Sequence, residues 1–207
     1  MKLVSMVSGP ISTNTYIIID EKSNDCAVID PAIRNREIYN FLDKHPELKI
    51  KYIIATHGHF DHVTQIEELK EKYGGEVVIH RADLPWLVCD YNARYARHTA
   101  AAKPLSADML LDGGETLFVG DIKLIFIHTP GHTPGGMCIQ CENCLFSGDT
   151  LFLNDVGRTD LEGGDETALH HSVKEVIGSI NEDLKVYPGH GDPTTLSHEK
   201  THNPYFK

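Results

Sequence analysis

Short apolar runs bounded by turn-forming residues dominate the first part of the chain. "TYIIID" (15–20), "CAVID" (26–30) and "KYIIAT" (51–56) are β-branched or aromatic, with Asn, Asp and Pro at their margins, and they predict strands. Between the last two, "REIYNFLDKH" sets Ile38, Phe41, Leu42 and His45 on one face of a helix. Val63, Ile66, Leu69 and Tyr73 repeat at helical spacing and predict a second helix, closed by Gly74-Gly75. "EVVIH" reads as a strand. Residues 84–103 predict a helical insertion that carries Trp86, Tyr91, Arg94, Tyr95, Arg97 and His98. Strands return as "ETLFVG", "IKLIFIHT", "GGMCIQC" and "CLFSGD". A further helix over 166–180 has Leu169, Val173, Val176, Ile177 and Ile180 as its stripe and Asp165 as its N-cap. "LKVYPGHG" ends the pattern as a strand and turn.

Runs of strands interrupted by helices predict sheets with helices on their outer faces, an α/β chain of the α+β kind. "CAVIDPA" and "CLFSGDT" echo one another, each a strand ending in an aspartate and a turn. That echo hints at two sheets packed together.

Composition narrows the class. With 207 residues, 41% of them hydrophobic, the chain can bury a core as one domain spanning 1–207. No linker or low-complexity tract divides it, and no apolar run is long enough to span a membrane. The start, "MKLVSMVSGPIS", lacks the charge and apolar length of a signal peptide. Five cysteines, an odd number in a chain too large to need staples, fit a reduced cytoplasm. A formal charge of −11 disfavours nucleic acid and anionic membranes as partners. The expected partner is a small-molecule substrate, with the chain a monomer or homodimer.

The thirteen histidines matter through their positions. "YIIATHGHFDH" ends an apolar run in His57, His59, Asp61 and His62. Alternation with Gly58 lets His57 and His59 point one way, while Asp61 and His62 fall on the next turn. Imidazole with carboxylate suits zinc, iron or manganese. A single histidine there would cap or solvate a helix start; four ligand-type residues in six positions exceed that need. His132 in "HTPGHTPGG", Asp149 in "FSGDTLF" and His190 in "YPGHGDP" each follow an apolar strand and adjoin glycine.

"THGHFDH", "PGHTPG", "SGDTLF" and "YPGHG", in this order and at these separations, resemble the metallo-β-lactamase superfamily, nearest its glyoxalase II-like (hydroxyacylglutathione hydrolase-like) branch. The resemblance runs from about Asn14 to "TTLSHEKTHNP". It implies a four-layer αββα sandwich. It also implies one metal on His57, His59 and His132, a second on Asp61, His62 and His190, and Asp149 bridging the two. Two divalent ions are expected, zinc first, with iron or manganese as alternatives. Asp61 and Asp149 are then the catalytic carboxylates, both as ligands, with Asp61 no free base.

Two such cations would hold a shared water, bring its pKa towards neutrality and polarise a carbonyl. A thioester suits them, because a thiolate leaves with little help from an acid. The expected activity is hydrolysis of a small thioester or ester such as an S-2-hydroxyacyl thiol. Departures from the branch qualify the thiol. The added helical domain with which full-length glyoxalase II grips glutathione is not expected here. "NDVGRTDLEGGD" is unlike the lysine- and tyrosine-containing loop of those enzymes. "GRTD" is similar to short one-domain hydrolases and to the mononuclear iron persulfide dioxygenases. "TLF" after Asp149 favours hydrolysis, with the dioxygenase and a lactonase as alternatives. Arg158 either meets a substrate carboxylate or anchors its own loop through Asp160. Tyr91, Arg94, Tyr95 and Arg97 either form a lid over the metals or belong to a solvated amphipathic helix. Cys138, Cys141 and Cys144 read as hairpin or core residues, with Cys141 facing Cys144 across a turn at Glu142-Asn143.

Overall fold

The computed structural model describes residues 1–32, 35–88 and 106–207. One sheet runs, in spatial order, through β1 (Lys2–Ser8), β2 (Thr13–Ile19), β3 (Asp25–Ile29), β4 (Lys49–Ile54), β5 (Glu76–His80) and β6 (Met109–Leu111). Its first three strands pair antiparallel and its last four parallel. Parallel neighbours need crossovers. Helix α1 (Arg36–Lys44) joins β3 to β4, while α2 (Phe60–Val63) and α3 (Ile66–Tyr73) join β4 to β5. After β5 come a short 3-10 turn and α4 (Leu84–Val88).

The second sheet contains β7 (Thr116–Val119), β8 (Ile122–His128), β9 (Met137–Cys141) and β10 (Cys144–Gly148). A two-stranded ribbon, β11 (Leu151–Phe152) with β12 (Asp155–Val156), and helix α5 (Glu166–His171) follow. Then β13 (Lys185–Pro188) pairs parallel with β10, and β14 (Thr194–Thr195) forms the edge before α6 (Leu196–His202).

Strand alternation decides the layers, because neighbouring residues point to opposite faces. Ile17 and Ile19, with Val28 and Ile53, pack outward on Ile38 and Leu42 of α1 and on Ile66 and Leu69 of α3. Tyr16, Ile18, Ile29 and Ile54 point inward onto Leu124, Phe126, Ile139 and Phe146 of the second sheet. The far face of that sheet, through Leu145 and Val186, covers Leu169, Val173, Ile177 and Leu196. Helix, sheet, sheet and helix form the expected αββα sandwich. Each fully buried Ile, Leu or Phe contributes roughly 1.5–3 kcal/mol.

Two helices differ from their sequence patterns. The helix expected after His62 is broken between Val63 and Ile66, where the Gln65 amide donates to Pro31 O at 3.3 Å instead of continuing the ladder. The helix expected over 166–180 starts as predicted, with the Asp165 carboxylate accepting from the Ala168 amide at 2.9 Å. It then widens at Ser172–Val176 and tightens at Ile177–Ser179, leaving Val176 and Ile180 half-buried. Cys141 and Cys144 are register partners across the β9–β10 turn, and Cys138, Cys141 and Cys144 are buried free thiols. Of the 84–103 insertion, only residues 84–88 are described. Among the described residues, no helix is long and apolar enough to cross a membrane.

Candidate metal centre

Each chemically notable residue follows the end of a strand. His57 and His59 lie in the loop after β4, and Asp61 and His62 on α2 behind it. His132 sits in the β8–β9 loop, Asp149 directly after β10, and His190 one residue beyond β13, after Gly189. The structure brings all seven together. His57, His59 and His132 form one group; Asp61, His62 and His190 form another; His57, His62 and Asp149 form a third. Within each group the ligand atoms lie within 4.8 Å of one another. His59 Nδ1 and His132 Nε2 are 2.8 Å apart, and the Nε2 atoms of His62 and His190 are 3.3 Å apart. Asp149 lies between the sets, with Oδ2 3.5 Å from both His132 Nε2 and His190 Nε2, and Oδ1 3.5 Å from His62 Nε2. Gly189 is required at this point, since a Cβ there would collide with Asp149 Oδ1 and His62 Cε1.

A second layer aims the rings. His132 Nδ1 donates to Arg158 O at 2.7 Å and His190 Nδ1 to Ile11 O at 3.1 Å, so both turn Nε2 inward. His62 Nδ1 meets Asp30 Oδ2 at 3.0 Å. Asp30 is buried and also accepts from the Thr56 amide and hydroxyl, both at 2.7 Å. The Thr13 hydroxyl donates to Asp61 Oδ2 at 2.9 Å. Asp83, fully buried, joins two ligand loops by accepting from Gly58 N at 2.8 Å, Thr133 Oγ1 at 2.7 Å and Gly135 N at 2.5 Å.

The β1–β2 turn, through Ile11, and the first two residues of β2 clip the His190 loop. Thr13 bridges His190, Asn14 N donates to Gly189 O at 2.7 Å, and Asn14 Nδ2 donates to Pro188 O and Gly191 O, each at 2.9 Å.

The electrostatics divide the imidazoles. Burial pushes His57 well below its usual 6.5 and His59 down to about 3, so both are neutral and fit to ligate. Burial opposes charge on His62 and His190 too, yet neighbouring carboxylates win. Asp61, Asp149 and Asp30 raise His62 well above the usual range, and Asp149 with Asp61 raises His190 to about 10. Burial raises the Asp61 and Asp149 carboxyls, but His62 and His190 hold both below the carboxylate range. A divalent cation can stand where these protons stand. His57 Nε2 supports that fit, being buried with no hydrogen-bond partner. Mixed imidazole and carboxylate donors suit a borderline ion.

Sequence reasoning singled out the seven residues and missed their supports. Asp30 stood in view in "CAVIDPA", but its bond to His62 spans 32 positions. Asp83 gave no local signal. The Arg158 guanidinium forks onto Asp160 at 2.6 and 2.7 Å and also lines a cavity of about 570 Å³ over the cluster. Tyr91, Arg94, Tyr95 and Arg97 lie outside the described residues.

Comparison with known proteins gives a consistent family. The family model described as "Metallo-beta-lactamase superfamily" matches residues 8–190. The "Probable metallo-hydrolase YqgX" of Bacillus subtilis (strain 168) is 33% identical, over 99% of this chain and 97% of its own. The crystal structure of the BLEG-1 B3 metallo-beta-lactamase is 32% identical and covers 100% of both chains with a TM-score of 0.90. TTHA1623, solved in a di-iron-bound form, is 32% identical over 98% of this chain and 99% of its own, with a TM-score of 0.84.

Proposed function

The chain belongs to the metallo-beta-lactamase superfamily and is a metal-dependent hydrolase, and from that premise we propose a dinuclear enzyme that cleaves a small thioester or ester such as an S-2-hydroxyacyl thiol. In this reading His57, His59 and His132 hold one divalent ion, Asp61, His62 and His190 hold the other, and Asp149 serves both. Zinc is the first candidate, with iron or manganese as alternatives. When bound, the ions supply an activated water and polarise the substrate carbonyl.

The chain's own part is orientation. Asp30 fixes the His62 ring, and the Arg158 and Ile11 carbonyls fix His132 and His190. Asp61 is buried and already accepts from Thr13, which suits it as a ligand and not as a mobile base. A thiolate leaves without a general acid, so the carboxylates need no proton to give. The observation that carries the reading is that three triads, each with its ligand atoms within 4.8 Å of one another, are linked through the shared His57 and His62.

The test loads separate preparations with zinc, manganese and ferrous iron, then assays them with S-lactoylglutathione and with thioesters of smaller thiols. We expect about two equivalents of metal per chain, a high KM for the glutathione thioester and comparable rates for the smaller thiols. Oxygen uptake on glutathione persulfide with iron, together with no thioester cleavage under any metal, moves the chain to the dioxygenase reading.

A further inference from the structure

Over the cluster, among the described residues, the 570 Å³ cavity is walled by Ile11, Phe60, Phe152, Val156 and Leu161. Phe152 stands edge-on to the His190 ring, their centroids 6.2 Å apart at 73°, so this wall reaches the reacting centre. Ile11 is 49% exposed and stands at the opening. Apart from the histidines of the cluster, Arg158 is the one basic side chain that lines the cavity among the described residues, and its guanidinium is forked on Asp160. From this lining we infer that the enzyme selects thioesters with an apolar acyl group, seated against Phe152 and Leu161; the inference rests on the hydrolase reading above.

The chemistry decides which half of the substrate meets the apolar wall. In hydrolysis a water oxygen bonds to the carbonyl carbon and the C–S bond breaks. The thiolate departs with the bonding pair and takes a proton from solvent, leaving a carboxylic acid and a thiol. Charge therefore develops on the sulfur, and apolar walls around it would strip its hydration and raise the barrier. Beyond its carbonyl, the acyl group stays neutral throughout, so the same walls cost it nothing and gain its burial. Outside the metal-ligating set, a thiol bearing several carboxylates meets only Arg158 among the described lining cations, and Arg158 is already forked on Asp160.

The test uses the metal-loaded protein and a series of S-acyl N-acetylcysteamines: acetyl, butanoyl and hexanoyl. The thiol is small and uncharged throughout, so only the acyl chain varies. We expect kcat/KM to climb about fourfold for each methylene that enters the cavity, the ratio equivalent to about 0.8 kcal/mol of burial. Non-hydrolysable thioether analogues should bind the same preparation calorimetrically, with a heat-capacity change that grows more negative along the series. Leu161→Ser and Phe152→Ala should each narrow the hexanoyl-to-acetyl ratio by at least threefold. Cleavage of the acetyl member with flat or falling rates along the series overturns this inference and leaves the hydrolase reading standing. Cleavage of no member, with the ions bound, overturns both.

Discussion

Asp30 touches neither substrate nor ion in the proposed site, yet its loss should be felt there. Asp30→Asn keeps volume and can still accept from the Thr56 amide. Its new NH2 group, however, would face the Thr56 hydroxyl and His62 Nδ1, each 2.7–3.0 Å from Asp30 Oδ2. At Nδ1 this sets donor against donor and favours the opposite tautomer, with the proton on the nitrogen that should ligate. Replacing such an outer partner typically weakens metal binding about 10- to 100-fold, equivalent to roughly 1.4–2.8 kcal/mol. A second effect acts in the other direction. Asp30 is one of the anions that raise His62, so neutralising it eases loss of the competing proton. Asp61 and Asp149 still raise the same ring in the variant, so that relief is partial. Titration against a chromophoric chelator should therefore show the second equivalent bound at least tenfold more weakly and the first little changed, with circular dichroism reporting an intact fold. Two equivalents held with wild-type affinity would refute the orientation argument.

Asp149→Ala should lose most of the second equivalent of metal together with turnover; full turnover in this variant ends the dinuclear reading. Replacing Cys138, Cys141 and Cys144 together by alanine should leave metal content and turnover near wild type while lowering the melting temperature, as expected of buried thiols. Removing a buried carboxylate that ties Gly58 to Thr133 and Gly135 strands three donors, so Asp83→Ala should cost about 3 kcal/mol or more in denaturant unfolding. The pH dependence follows from His190, raised from 6.5 to about 10. A raised pKa stabilises the metal-free protein fully below about 6.5, and that share is lost as pH climbs through about 10. Metal must displace the proton, so apparent affinity should rise with pH across this window; isothermal titration at several pH values would detect a flat profile and refute it.

What could be read from the sequence was what is local. The β-branched and aromatic runs marked the strands, though the continuous run of β2 did not tell its two faces apart, and the seven ligand-type residues stood out because each pairs with a glycine or turn at a strand end. The break at Gln65 was hidden because its cause, Pro31 O, lies on another element. Asp83 escaped for the same reason, since its partners are 25, 50 and 52 positions away. Arg158 and Asp160 are two residues apart, so their fork was foreseeable; the cavity wall opposite it, with Ile11 and Phe60, was not.

The clip between the β1–β2 turn and the His190 loop sets an order of events during synthesis. Residues 11–14 leave the ribosome well before their partners at 188–191, which are 174 to 179 positions later. Closing so long a loop is entropically costly and kinetically late. His57, His59 and His132 can meet once residue 132 has emerged, whereas Asp61 and His62 must wait for residue 190. In the proposed site, a nascent chain stalled before His190 would thus carry one complete set of three histidines and leave Asp61 and His62 without their third partner, so a second ion would be captured only as the His190 turn docks on the β1–β2 turn.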